Sequence, residues 1–406
     1  MMDPDEISTG KRRRDSVTAV SGAKVLDDDN LLSKILLRVN FLSTLIRAAT
    51  VCRQWLRQAS DPAFLRRFRK LHPPCLLGFY LSNSLEQTPC FVPMPMPQPS
   101  ELADVIHRAN FQFNTYKYNS IGLSIVDSWG GNVFVTLHKY DTGKIEYPFA
   151  VHRPLLCVQS SMTIFPPLPS HQLRRGRSFV GELVFREKSD GLSYLWMEST
   201  HEKATVPVNM LQDGVWCLHT SGTTQVHGIP RNTKLLVVDN KVYMCSGSYV
   251  LVFDLKTASF SKIQYPLGVG FREAVMLSQA DDDSGVYLVH AEELKLDIWL
   301  HKGDNWLLVD TIYLCGMYPY SSMLDHILAV AHNTDVRISQ VGANAGFVFL
   351  QMGHFILYLD IKGRTLHKAY EMTVEAQSFR HQIHPLMMIW PPTFPALKDD
   401  PIRYAV

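Results

Sequence analysis

The stretch "LVFDLKTASFSKIQYP" (251–266) sets two runs of apolar, β-branched and aromatic residues on either side of a short polar break, the pattern of strand, turn and strand. It has an echo. "VFVTLHKYDTGKIEYP" (133–148) aligns with it without gaps and shares Leu, Lys, Ile, Tyr and Pro at corresponding positions. "FILYLDIKGRTLHKAY" (355–370) and "LDIWLHKGDNWLLVDTIY" (296–313) repeat the form. Turn signals such as "SWGGN", "KSDG", "VDNK", "HKGDN" and "IKGR" punctuate everything from about residue 120 onward. Recurring hairpins of one kind point to a repeated β-meander, as in propeller blades, with a two-sheet sandwich or incomplete barrel as the alternative.

The front of the chain reads differently. Leu31, Leu32, Ile35, Leu36 and Val39 recur at helical spacing behind Asp27, Asp28 and Asp29, any of which can cap a helix. "NFLST" interrupts the pattern, and Ser43 or Thr44 is placed to cap a second helix carrying Leu45, Ala49, Cys52, Trp55 and Leu56. Asp61-Pro62 restarts a third, because Asp61 accepts from orphan amides and Pro62 has no amide to leave unpaired. The expected fold class is therefore α+β, a small three-helix unit ahead of a mainly-β, propeller-like domain. The expected divisions are a disordered basic tail at 1–24, the helical unit at 25–72, a Pro-rich connector at 73–100 around "CFVPMPMPQPS", and the β-rich domain at 101–406. A helical unit of about 45 residues makes a marginal core, so apolar surface left on it is expected to be covered by a partner or by the next domain.

The 406 residues carry a net charge of +2, with 46% hydrophobic and 19% charged residues. No strong field would hold the chain on nucleic acid or on a membrane surface. No apolar run approaches a membrane span, and "MMDPDEISTGKRRRDS" lacks the apolar core of a secretory signal. The seven scattered cysteines form no CxxC pair and suit reduced thiols inside a cell. Lys11, Arg12, Arg13 and Arg14 form a weak basic signal, consistent with cytoplasm or nucleus.

Catalytic patterns are near misses. "HEKAT" (201–205) has Thr205 where a zinc-binding HExxH needs its second His. "DDDSG" (281–285) has its glycine one place early for a calcium loop. His381 and His384 in "HQIH" have no third ligand, and "LRRGR" (173–177) reads as a solvated basic loop. Neither a nucleophile elbow nor a phosphate-binding glycine loop occurs. No cofactor, no metal and no catalytic residue is expected. Six tryptophans, Trp129, Trp196, Trp216, Trp299, Trp306 and Trp390, fall in the β-region as core or recognition residues.

The helical stretch Leu26–Arg69, with "VCRQW" (51–55) and "SDPAFLRRF" (60–68), resembles an F-box. The remainder is similar to the β-rich region of the large plant, especially grass, F-box family through "LLGFYL" (76–81), "GLSIVDSWGGNVFV" (122–135) and "FAVHRPLLCVQSSMTIFPPLP" (149–169). The resemblance implies a non-catalytic substrate receptor of an SCF-type ubiquitin ligase. Its helices would dock a Skp1-like adaptor and, through it, cullin, while the β-domain captures an unknown protein substrate. It also implies that Leu26, Leu31, Leu32, Ile35, Leu36, Val51, Cys52 and Trp55 form or support the adaptor face. Asp27 and Asn40 stand where the family commonly has proline, which raises the ordering cost of docking. A protein-interaction module or degenerate copy that no longer binds the adaptor is the alternative reading.

Overall fold

The computed structural model describes residues 28–82, 88–95, 100–113, 120–141, 144–146, 148–156, 162–169, 178–186, 191–199, 203–226, 233–270, 274–280, 285–315, 317, 336–373, 381–390, 392 and 394. The chain divides into two compact units. One holds the residues up to Cys75 together with those from Met388 onward, and the other is Leu76–Met387.

The first unit has four helices where the spacing predicted three: α1 (Asp29–Leu36), α2 (Leu42–Ala49), α3 (Arg53–Ser60) and α4 (Pro62–Leu71). The expected second helix breaks at Thr50–Cys52, where Cys52 turns extended and starts α3. Asp28 caps α1, accepting from the amides of Asn30 and Leu31. Asp61 caps α4 through the Phe64 amide at 2.7 Å, with Pro62 at the first helical position as expected. Neither Ser43 nor Thr44 caps α2. Phe41 holds that position without a side-chain bond, and both hydroxyl residues lie inside the helix. Leu32, Leu36, Leu45, Leu56, Phe64 and Phe68 form the core.

The second unit is a six-bladed propeller. Among the described residues its sheets run in sequence. The first full blade is β3 (Ser120–Trp129), β4 (Asn132–Asp141), β6 (Phe149–His152) and β7 (Met162–Phe165), with β5 (Lys144–Glu146) paired to β4. Next come β8 (Ser178–Arg186) to β9 (Leu192–Ser199), β10 (Lys203–Gln212) and β11 (Val215–Gln225), then β12 (Leu235–Val238) to β13 (Lys241–Cys245), β14 (Tyr249–Asp254) and β15 (Ser259–Gln264). The last two four-stranded blades are β16 (Val275–Gln279), β17 (Val286–Glu292), β18 (Lys295–Lys302) and β19 (Asn305–Tyr313), and β20 (Arg337–Val341), β21 (Phe347–Met352), β22 (Phe355–Asp360) and β23 (Thr365–Glu371). The sixth sheet joins both ends of the domain in the order β2 (Cys90–Pro93), β1 (Leu76–Ser82), β24 (Gln382–Met387). The strands β3, β8, β12, β16, β20 and β24 adjoin one another in turn and close a ring around the axis. Sandwich and barrel are thereby excluded. A fifth helix, α5 (Ser100–Arg108), links the closing sheet to the first full blade.

The region 73–100 is thus no connector, because it supplies two strands of the closing sheet. β1 precedes the prolines of "CFVPMPMPQPS", and Pro93 ends an outer edge strand, where a missing amide is tolerated. The predicted turns do form. Asp239 and Asn240 adopt φ of +46° and +59° between β12 and β13, the geometry of a tight hairpin turn. The four echoing hairpins are not all equivalent. Three are the outer pairs β14–β15, β18–β19 and β22–β23, but 133–148 spans β4 and its side strand β5.

Apolar clusters fill the spaces between successive blades. Leu251 and Phe253 pack with Leu195 and Val206, and Leu357 and Leu359 with Ile298 and Ile312. Tryptophans bolt blade to blade. Trp129 Nε1 donates to the Val184 carbonyl at 3.0 Å, Trp216 to Pro166 at 3.1 Å and Trp306 to Gln264 at 2.7 Å. Each of these three side chains ties a strand of one blade to its neighbour. Trp390 is not in the β-domain at all, since it packs on the helical core.

Candidate functional site

The helical unit divides the residues that the resemblance singled out. Leu32 and Leu36 are 0% and 1% exposed and belong to its core, and Trp55 is half-buried against that core. Leu31, Ile35 and Val51 are 38%, 40% and 64% exposed, and Cys52 is exposed as well. Leu26 lies outside the described residues, as do Asp27 and Lys11, Arg12, Arg13 and Arg14. Four apolar side chains therefore stand in water on adjoining elements. Leu31 and Ile35 are one turn apart on α1, and Val51 and Cys52 lie at the start of α3. Gln54 Nε2 donates to Asp29 Oδ1 at 2.9 Å and ties the first turns of these two helices together. At the other end of α1, His72 lies 2.9 Å from the Leu37 carbonyl and ties in the end of α4. A helix face held at both ends and left apolar is suited to docking in a partner's groove.

The second candidate lies on the propeller axis. The innermost strands bring together Asp127 on β3, Glu182 on β8, Lys234 just before β12, Gln340 on β20 and His384 on β24. Lys234 Nζ donates to Gln340 Oε1 and to the Ile383 carbonyl. In the ring β12 stands opposite β24, so this side chain crosses the axis. By area it remains exposed to solvent, although enough protein surrounds it to desolvate its ammonium. Burial pushes its ammonium down to about 8, partly offset by Asp127. Burial raises Asp127 to about 6 against the amides of Ser128 and Val184 that hold its carboxylate. Burial raises Glu182 to about 7, opposed by the Tyr194 hydroxyl and reinforced by Asp127. Burial and the neighbouring Lys234 drive His384 down to about 3, so its ring is neutral.

Sequence reading missed this cluster because its members are hundreds of residues apart and no local spacing joins them. It weighs His384 only beside His381, as a pair without a third metal ligand. Three residues apart in extended chain, the two rings point to opposite faces. Among the described residues no group of three or more His, Cys, Asp or Glu side chains is placed to hold a metal ion. Thr205, from the near-miss protease motif, lies within β10 with its hydroxyl 3.2 Å from that of Thr223. "DDDSG" and "LRRGR" fall outside the described residues except for Gly285. The six described cysteines are free thiols. No described helix is long and apolar enough to cross a membrane.

The model of the family "F-box protein AT5G49610-like, beta-propeller" matches residues 124–394. The chain belongs to this F-box propeller family. The match runs from within β3 past β24, and the four helices lie ahead of it together with β1, β2 and α5. No curated protein matches the chain. Among solved structures, a putative 6-phosphogluconolactonase from Bacteroides uniformis is similar at 10% identity and a TM-score of 0.34, covering 76% of this chain and 99% of its own. A functionally unknown protein from Desulfotomaculum acetoxidans is similar at 11% identity and a TM-score of 0.35, covering 67% and 90%. The WD40 domain of SCAP from fission yeast is similar at 9% and 0.33, covering 63% and 57%. Likenesses this shallow carry no argument about function.

Proposed function

We propose that this F-box propeller protein is the substrate-receptor subunit of an SCF-type ubiquitin ligase, docking a Skp1-like adaptor through its helices and capturing a target protein with its propeller. The observation that carries the reading is the exposed apolar quartet Leu31, Ile35, Val51 and Cys52 on a small helical unit, in a chain of an F-box family. The receptor brings no catalyst of its own. At the axis, Lys234 is held by Gln340 and Ile383, Asp127 by backbone amides and Glu182 by Tyr194, an arrangement of mutual neutralisation rather than of a nucleophile and its base. The grass-type assignment rests on the quoted stretches of the β-domain alone. Asn40, exposed between α1 and α2, keeps the degenerate-copy reading as the alternative.

Binding to a purified Skp1-like adaptor tests the reading. Ile35→Asp should lower affinity by about 2 kcal/mol or more, as loss of an apolar interface anchor does, with the helical unit still folded. Leu36→Asp would be a poor test, since a charge at a core position unfolds the unit whether or not it binds anything. Failure of the unaltered chain to bind, beside a control F-box protein that does, would sink the receptor reading in favour of the degenerate copy.

A further inference from the structure

The chain returns to its helical unit after leaving the propeller. From Met388 onward it belongs with the helices, and its first amide donates to the Cys75 carbonyl at 2.8 Å. Trp390 then stacks on Phe68 of α4, with ring centroids 6.3 Å apart and planes 5° from parallel. Phe394 packs on the same cluster, and Pro392 between them is buried. Phe68 is the hinge of this arrangement. It is 1% exposed, it contacts Phe64 and His72 as well as Trp390, and His72 reaches the Leu37 carbonyl at the end of α1. Trp390 is thus linked through Phe68, His72 and Leu37 to the helix that presents Leu31 and Ile35.

A unit of about 45 residues cannot bury enough apolar surface to be robust alone. The exposed quartet on α1 and α3 leaves one part of that deficit open, and the C-terminal aromatics close another at α4. We propose that the returning residues Met388, Ile389, Trp390, Pro392 and Phe394 are a working part of the adaptor-docking unit, with Trp390 and Phe394 as positioning residues that hold α4 and, through it, α1 in docking geometry. The proposal rests on the receptor reading for its partner, but its structural half stands independently.

The experiment uses the full-length chain with Trp390→Ala and Trp390→Phe, each measured for adaptor binding and for amide hydrogen exchange. Trp390→Ala should weaken adaptor binding about tenfold or more and speed exchange in α4 and the end of α1, while the amides of β8 to β23 stay protected. Trp390→Phe keeps a stacked ring and should restore both to within about threefold. If Trp390→Ala matches the unaltered chain in exchange, the proposal fails. If exchange quickens while binding is unchanged, the segment is merely structural and the proposal fails as well. If the unaltered chain does not bind the adaptor, the receptor reading falls, and with it this segment's role in docking, whereas the exchange result still decides whether it completes the helical core.

Discussion

Glu182 shows how a single residue on the axis makes stability depend on pH. Its carboxyl titrates near 4.5 when solvated and at about 7 in the fold, so the folded chain holds the proton over the interval between. Stability from this group is fully present below about 4.5 and declines as pH rises through 7, because the carboxylate must then exist desolvated beside Asp127 with the Tyr194 hydroxyl to hold it. Glu182→Gln keeps an acceptor for the Tyr194 hydroxyl and removes the titration. Relative to the unaltered chain, this variant should gain on the order of 1 to 2 kcal/mol between pH 5 and pH 8, read from urea midpoints at the two values. A difference that stays constant with pH would show that the fold does not hold the proton. His384 has the opposite sign: its neutral form is kept down to about 3, so acid below 6.5 works against the fold there. The two side chains look alike in sequence, as isolated polar residues in apolar strands. Only the ring of six inner strands gives them neighbours.

At the scale of the elements, glycines separate two kinds of constraint. Gly181, on the inner strand β8, passes so near β12 that an added Cβ would lie 2.2 Å from the Thr233 carbonyl oxygen, while the Thr233 amide donates to Val180 at 3.0 Å. Gly214, in the β10–β11 turn, has a φ of +76° with open space around its missing side chain. Gly181→Ala must push two blades apart and should cost about 2 to 4 kcal/mol, whereas Gly214→Ala meets only backbone strain of about 1 kcal/mol. Thermal unfolding of both variants distinguishes them, and equal losses would mean that the inner strands yield more readily than their spacing implies. Sequence could announce Gly214, which sits in the turn signal "DG", but not Gly181, whose partner lies 52 residues on. The same division runs through the other elements. Asp61-Pro62 and the hairpin turns were legible because cap and turn chemistry is local. The break at Thr50–Cys52 was not, because the apolar periodicity runs straight through it while the backbone at Cys52 is extended. The proposed docking face was half legible: helical spacing found the apolar residues of α1, but burial alone divided Leu32 and Leu36 from Leu31 and Ile35.

At the largest scale, the propeller is closed by the two ends of its own stretch of chain. β24 pairs with β1 from Leu76↔Met387 to Ser82↔Gln382, and that one antiparallel ladder shuts a ring more than 300 residues around. Bringing such distant segments together is entropically costly, growing with the logarithm of loop length to roughly 5 kcal/mol here, so the closing sheet is where the propeller should open first. Blade number could not be read in advance for this reason: the hairpin echoes reveal repetition, but the closing sheet mixes strands from both ends and matches none of them. The chain runs directly from β24 into the segment that covers Phe68, so opening the ladder frees the segment's anchor to Cys75 at the same time. Ile383→Ala, at a fully buried position of β24, should lower stability by about 2 to 5 kcal/mol and also quicken hydrogen exchange in α4. Leu359→Ala, equally buried on β22, should cost a similar amount of propeller stability while leaving α4 protected, because β22 ends in a hairpin rather than in the returning segment. The comparison isolates chain continuity from general destabilisation. If both variants loosened α4 alike, the helices would be responding to the propeller's overall stability, and if neither did, the returning segment would hold its place independently of the strand that delivers it.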